Sequence, residues 1–337
     1  MIELHSHLGG GVPGAVLWEV LQDEGMSTDF KTFDALQASL TPDPEKITSL
    51  DDFLGSFFHT TELIQSSPRA MEASCYHMVA KAYRRSRSET QKLEGIEIRF
   101  NPVKRIRDGF LGPDAIMEAA VRGLTRASSH YGVKTGLILT MGRDMTPEEN
   151  RLVLRTAIRW RDAGVNKQIG YHGVVGIDVA GPESGKKEYC DEWVGEMAEI
   201  YGMARDAGLG TTYHVGETWD TGGSGVERVI GFIKPDRIGH GIRAAESADS
   251  LDALYHSGTV LEICPSVNLL TRAATKEELG GILRVLLAKE VPFVVCTDNP
   301  YLAHTNLTRE LAIADEISGQ PVSEWSAKCE SDATFLR

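Results

Sequence analysis

Little in this 337-residue chain belongs to a secreted, membrane-spanning or nucleic-acid-binding protein. Its five cysteines, Cys75, Cys190, Cys264, Cys296 and Cys329, are scattered, odd in number and never form a CxxC pair. That excludes a disulfide framework and favours a reducing compartment. No apolar run is long enough to span a bilayer. The opening residues, Met1-Ile-Glu-Leu-His5, lack a basic stretch followed by an apolar one, so no secretory signal is expected and a cytoplasmic location is. Positive charge is scarce: 35 Lys and Arg stand against 48 Asp and Glu, a net charge of −13. So acidic a surface repels phosphate backbones and anionic lipid heads. Nucleic acid and membrane are therefore poor partners, and a neutral or cationic small molecule suits the chain better. No low-complexity stretch, Pro/Gly-rich linker or internal repeat divides it, so residues 1–337 are expected to form a single barrel domain. The oligomeric state stays open, a homo-oligomer included.

What is present is an alternation. Short β-rich runs fall at Ile2–His7, Gly95–Asn101, Lys134–Thr140, Gly173–Asp178, Gly210–His214, Arg237–His240, Thr259–Ile263 and Pro292–Thr297. Between them lie stretches such as Pro68–Ser86, Pro113–Tyr131, Pro147–Ala163 and Lys276–Ala288, where apolar residues recur every three or four positions. Thr146-Pro-Glu-Glu149 reads as a helix start: a hydroxyl cap, Pro in the first turn, then acids at the positive dipole end. Eight strand-like runs alternating with helices predict a (β/α)8 TIM-type barrel, with an open doubly wound sheet as the alternative. The polar residues favour the barrel, because chemistry there sits at the C-terminal strand ends, where this chain has its His, Glu and Asp. Residues 28–67 are an insertion expected to form extra helices and loops over the C-terminal mouth.

Four strand ends carry the chemistry. In His5-Ser6-His7 the two imidazoles are two apart and share a strand face. Alone, such a pair equally describes two surface histidines. His214-Val-Gly-Glu217 ends an apolar strand and offers a third imidazole and a carboxylate; a core His beside a capping Glu is the bland alternative. His240 lies between Gly239 and Gly241, which also fits a tight turn. Asp298 ends the apolar run Val294-Val-Cys-Thr297, where a carboxylate is costly unless paired, metal-bound or capping a helix. Together these ends supply three histidines and an Asp on one face. That set suits Zn2+ with one position open for water, whose pKa zinc lowers toward roughly 7. Glu217 and His240 are left to move protons. The other histidines, His59 and His304 among them, lack this context and read as ordinary.

With these motifs in place the chain resembles the adenosine deaminase family almost end to end. The resemblance rests on Glu3-Leu-His-Ser-His-Leu8, Glu97-Ile-Arg-Phe-Asn-Pro102, Val175-Gly-Ile-Asp-Val-Ala-Gly181, His214-Val-Gly-Glu217, Arg237-Ile-Gly-His-Gly241, Glu262-Ile-Cys-Pro-Ser-Val-Asn268 and Thr297-Asp-Asn-Pro300. It implies zinc-dependent hydrolytic deamination of adenosine or a related 6-aminopurine nucleoside. His5, His7, His214 and Asp298 are the implied zinc ligands. Glu217 is implied to protonate purine N1, His240 to orient and help deprotonate the zinc water, and Gly181 to give its N–H to purine N3. Asp178 and Arg143 resemble pairing partners around the mouth. Leu50, Phe53, Leu54 and Phe57 form a helical stripe, read either as an apolar lid over the base or as a helix packed on the barrel.

Two positions depart from the family pattern. Gly9, in the run Gly9-Gly10-Gly11, stands where nucleoside enzymes of the family carry an Asp for the ribose 5′-hydroxyl. This opens a 5′-modified adenosine as substrate: aminodeoxyfutalosine, 5′-deoxyadenosine or methylthioadenosine. Asn299 stands where the family shows a second Asp facing N7; an amide donates to N7 without first being protonated. Free adenine, an amide or pterin-like ring, and an inactive nucleoside-binding protein are the rival readings. The glycine-rich Gly222–Val229 run lacks the Lys-Ser/Thr of a phosphate-binding loop and is expected to be a mobile loop leading into a helix. Cys264 reads as a packed, reduced thiol.

Overall fold

In the computed structural model, which describes residues 1–26, 28–86, 92–106 and 112–337, eight parallel strands follow one another in sequence order around a ring. They are β1 Ile2–His7, β2 Gly95–Phe100, β3 Lys134–Gly142, β4 Tyr171–Ala180, β5 Gly210–Val215, β6 Arg237–His240, β7 Val260–Ile263 and β8 Phe293–Val295. Each pairs in parallel with the next. The ring is completed beyond β8, where the His7 N–H donates to Asp298 O at 2.7 Å and the Asp298 N–H donates to His5 O at 2.8 Å. The barrel holds and the open sheet does not. Strands covered by helices outside and by side chains inside are buried on both faces, so the polar and charged residues within them, such as Glu97, Arg99 and Arg237, are buried too.

The expected boundaries hold to within a few residues, and two differences matter for the site. β4 extends to Ala180 and delivers Gly181 at its end, whereas β8 stops at Val295, short of Thr297. Asp298 has φ +57° and His240 has φ +60°, a left-handed backbone rare for non-glycine residues. Both lie just where their chains leave the barrel wall. Such conformations persist only where the surroundings over-determine them, and they concentrate at functional sites.

The Pro147–Trp160 helix opens with a complete capping box: Thr146 Oγ1 accepts from the Glu149 N–H, and the Thr146 N–H donates to Glu149 Oε2 at 2.9 Å. The 28–67 insertion contains helices Phe33–Ser39 and Leu50–Ile64, and the second lies over the mouth. The Gly222 run is not a loop: Gly222–Arg228 is itself helical. Small residues let this helix sit close to its neighbours, since a Cβ on Gly223 would stand 2.6 Å from Ser250 Oγ. At the opposite end, the C-terminal tail closes the barrel floor. Thr334 Oγ1 and the Phe335 N–H both donate to Glu97 Oε1, and the Arg237 guanidinium lies 3.8 Å from the Phe335 ring centre. Among the described residues, no helix is long and apolar enough to cross a membrane.

Candidate active site

The strand ends gather around a cavity of about 460 Å³ at the C-terminal mouth. His7, Gly9, Gly181, His214, Glu217, His240, Asp298 and Asn299 line it, and His5 lies beneath, fully buried. The residues singled out in the sequence as metal-ligating, catalytic or substrate-binding therefore meet in one place. Gly239 makes part of this convergence possible, because a Cβ there would fall 2.9 Å from the His214 ring.

The imidazoles approach one another through the same atoms. His214 Nε2 lies 3.1 Å from His5 Nε2 and 3.2 Å from His7 Nε2. Asp298 Oδ1 is 3.6 Å from His5 Nε2 and 3.5 Å from His7 Nε2. On the far side of two of the rings stand carboxylates: Glu262 Oε2 at 2.6 Å from His5 Nδ1, and Asp178 Oδ1 at 3.0 Å from His214 Nδ1. A carboxylate accepts, so each Nδ1 carries the proton and each Nε2 presents a lone pair. Burial, then neighbouring positive groups, hold His5 and His7 well below the usual imidazole range, so both stay neutral. Burial likewise raises the Asp298 carboxyl to about 7, against the opposing pull of His214 and Arg99. Lone pairs aimed at one another beside a buried carboxylate repel unless a cation lies between them. This nitrogen-rich donor set with one oxygen fits a borderline divalent ion.

The carboxylates behind the rings are held by an ion network that the sequence reading missed. Arg99 reaches Glu262 Oε2 at 2.9 Å and Asp178 Oδ2 at 3.3 Å, and Arg237 reaches Glu262 Oε1 and Glu97 Oε2, each at 2.7 Å. All five side chains are fully buried. The signal was present in Glu97-Ile-Arg99 and Leu261-Glu262-Ile263, where charges interrupt apolar strands. Arg143 does act as a partner at the mouth, pairing with Glu188 at 2.8 Å and donating to the Gly181 and His214 carbonyls.

Glu217 and His240 occupy the other side. Burial, then repulsion from Glu183 and Asp298, raises Glu217 well above the usual carboxylate range. Its Oε2 lies 3.5 Å from His240 Nε2, and its Oε1 is buried with no hydrogen-bond partner. Burial lowers His240 well below the ordinary imidazole value. Asn268 Nδ2 meets its Nδ1 at 3.0 Å, and its Nε2 lies 3.8 Å from Asp298 Oδ2. A carboxyl group biased toward its acid form and an imidazole biased toward its neutral form thus face one cavity, able to give and to take a proton.

Several expectations change at the rim. Leu50, Phe53 and Leu54 line the cavity, but Phe57 packs into the core and Phe58 takes its place on the wall. The stripe therefore serves as lid and as barrel packing at once. Phe58 also fills the space beside Gly9, where an added Cβ would stand 3.1 Å from its ring. The Gly9 position is thus walled by an aromatic ring and, at 3.2 Å, by the Thr61 hydroxyl. Asn299 uses Nδ2 to donate to Asp298 Oδ1 at 2.6 Å. His59, read as ordinary, lies on the cavity rim, as do Lys104 and Asp144, paired at 2.8 Å. His304 does not line the cavity. Cys264 is buried with its thiol pushed well up by burial, which fits a packed thiol and not a nucleophile.

A barrel with these side chains at its mouth is of metal-dependent hydrolase type, and comparison with known proteins narrows the class. The adenosine deaminase family model matches residues 1–331, so the chain belongs to the adenosine deaminase family. An aminodeoxyfutalosine deaminase of Acidothermus cellulolyticus is 31% identical, over 95% of this chain and 83% of that protein. An adenine deaminase of Rhizobium rhizogenes is 33% identical, over 99% and 94%. In fold, the crystal structure of an adenine deaminase from Arthrobacter aurescens superposes with a TM-score of 0.81 at 19% identity, covering 99% of this chain and 93% of that one.

Proposed function

We propose that this chain is a zinc-dependent hydrolytic deaminase of a 6-aminopurine nucleoside, acting as one catalytic unit over residues 1–337. The observation that carries the reading is the placing of Glu217, buried with one oxygen uncommitted, opposite the Nε2 cluster across a cavity of nucleoside size. His5, His7, His214 and Asp298 would hold the ion. When bound, it supplies hydroxide at neutral pH. Gly181 offers its N–H to N3, and Glu217 gives its proton to N1, which draws electrons away from C6. His240, held by Asn268, takes a proton from the attacking water. Return of protons to the amino group releases ammonia, so water plus the 6-amino compound yields the 6-oxo product plus ammonia. The acidic surface is compatible with an uncharged nucleoside and disfavours anionic polymers.

The wall at Gly9 bears on the choice of nucleoside. Gly9 brings no carboxylate to a 5′-hydroxyl, the Phe58 ring edge offers no hydrogen bond, and the one polar neighbour, Thr61 Oγ1, already donates to the Phe58 carbonyl, which supports a 5′-modified adenosine over adenosine itself. Ammonia release should be measured with adenosine, 5′-deoxyadenosine, methylthioadenosine, aminodeoxyfutalosine and adenine. A kcat/KM about tenfold or more higher for a 5′-modified compound is expected, the cost of burying an unpartnered hydroxyl. A strong preference for plain adenosine would overturn the 5′ assignment, and a preference for free adenine would remove the nucleoside.

Asn299 touches the reaction through Asp298. Asn299→Leu removes that donor and any donation to N7, and kcat/KM is expected to fall about tenfold. Unchanged steady-state kinetics would place the residue outside the site's working parts.

A further inference from the structure

Glu183 follows Gly181 by two residues in the loop after β4, and its side chain is almost wholly buried. It does not enter the chemistry above. Its carboxylate crosses instead to the turn after β5: Oε1 accepts from the Glu217 N–H at 3.2 Å, and Oε2 accepts from the Thr218 N–H at 2.8 Å and from Thr218 Oγ1 at 2.7 Å. Three donors thus converge on one carboxylate, the strong charge-assisted kind of hydrogen bond. The turn it holds begins at Gly216, whose φ of +68° lets the chain double back after His214. That turn ends at Thr221, which binds the Gly216 N–H through Oγ1 at 2.9 Å. Glu217 thus has its backbone amide fixed from the β4 loop, although its side chain reaches into the cavity with one oxygen unbound.

The β4 loop is itself fixed from two sides. Arg143 donates to the Gly181 carbonyl at 2.9 Å, and Ser184 Oγ donates to Asp51 Oδ2 on the lid helix at 2.6 Å. Gly181 and Glu217 come from neighbouring strands whose main-chain pairing is short, only Gly176 with Gly210 and Ile177 with Thr211. Neither pair lies near the mouth. Ladder hydrogen bonds therefore do not set the spacing of the two loops at the site; Arg143 joins the two strand ends through the Gly181 and His214 carbonyls, and the Glu183 carboxylate spans the gap beyond them, at the turn that bears Glu217.

We infer that Glu183 is a positioning residue: it ties the loop bearing Gly181 to the turn bearing Glu217 and so holds both purine contacts in one register. This rests on the deaminase reading, in which Gly181 and Glu217 touch the same ring. Its negative charge also favours the protonated form of Glu217.

Glu183→Gln puts an amide NH2 opposite one of the three donors and breaks the clamp with little change of volume. The expected result is a kcat about tenfold lower, with KM within about threefold, because a displaced acid costs the transition state more than binding. In a Glu217→Gln background the same change should matter by less than about twofold, since the group it positions is already disabled. Equal losses in both backgrounds, or a raised KM with kcat unchanged, would overturn the inference. Should Glu183→Gln fail to fold, Thr218→Val removes one of the three donors. It is expected to lower kcat about threefold with the same dependence on Glu217, and a wild-type kcat would count against the clamp. Hydrogen exchange separates this inference from the reading beneath it. The peptide over residues 215–220 should exchange about tenfold faster in Glu183→Gln. That difference beside a wild type inert toward every nucleoside overturns the deaminase reading and not the clamp, and unchanged exchange in an active enzyme overturns the clamp.

Discussion

Glu217→Gln is expected to lower kcat by about 10²–10⁴ while leaving bound metal and KM nearly unchanged. Glutamine keeps the shape and still donates a hydrogen bond to N1, but it cannot deliver a proton, so the loss is confined to the step in which C6 becomes electrophilic. The pH profile carries the same signature. Burial, then Glu183 and Asp298, raises Glu217 well above the usual carboxylate range, which favours its acid form. Activity that needs the acid form is therefore present below the raised pKa and falls as pH climbs through it, and the variant should lose that limb. Steady-state kinetics across pH, with metal content measured alongside, checks both statements. Wild-type turnover in Glu217→Gln would remove the proton donor from the mechanism.

Arg99→Leu is expected to cost about 3–5 kcal/mol of stability, because it strands buried carboxylates rather than deleting a favourable pair. Glu262 keeps Arg237 at 2.7 Å, but Asp178 loses a guanidinium and gains only apolar surface. The melting temperature should drop by on the order of 10 °C. The same variant should bind zinc about 10–100-fold more weakly, since Glu262 and Asp178 fix the proton positions on His5 and His214. Thermal unfolding of the metal-free protein isolates the first effect, and a competitive zinc titration reads the second. A variant as stable as the wild type would mean that water or rearrangement replaces Arg99.

These two residues mark what the sequence does and does not disclose. His214 is legible because it ends an apolar strand, Glu217 because it follows three residues on, and His240 because it lies between two glycines at a strand end; a barrel puts strand ends on one face. The eight strands are legible because short β-rich runs alternate with stretches of helical periodicity. Arg99, Glu262 and Arg237 were not, because they come from strands far apart in sequence and their pairing depends on barrel register. Glu183 is hidden in the same way: two of its three partners are backbone amides, which leave no trace in side-chain identity. Phe58 was missed in favour of Phe57 because helical periodicity gives a face but not how that face is shared between the cavity and the core. The glycine-rich Gly222 run reads as a loop, because glycine disfavours helices in general. Close packing against Ser250 and Arg243 overrides that preference here.

The central claim is that one metal-centred site removes the 6-amino group of a purine nucleoside. The most direct measurement is ammonia release by the zinc-loaded protein from adenosine and its 5′-modified relatives, repeated after chelation and after zinc is restored. The account predicts stoichiometric ammonia and 6-oxo product from at least one of these compounds, lost on chelation and regained with zinc. No ammonia from any of them, from a folded protein with zinc bound, would contradict it and leave the barrel and its histidine cluster to serve a different ring or amide.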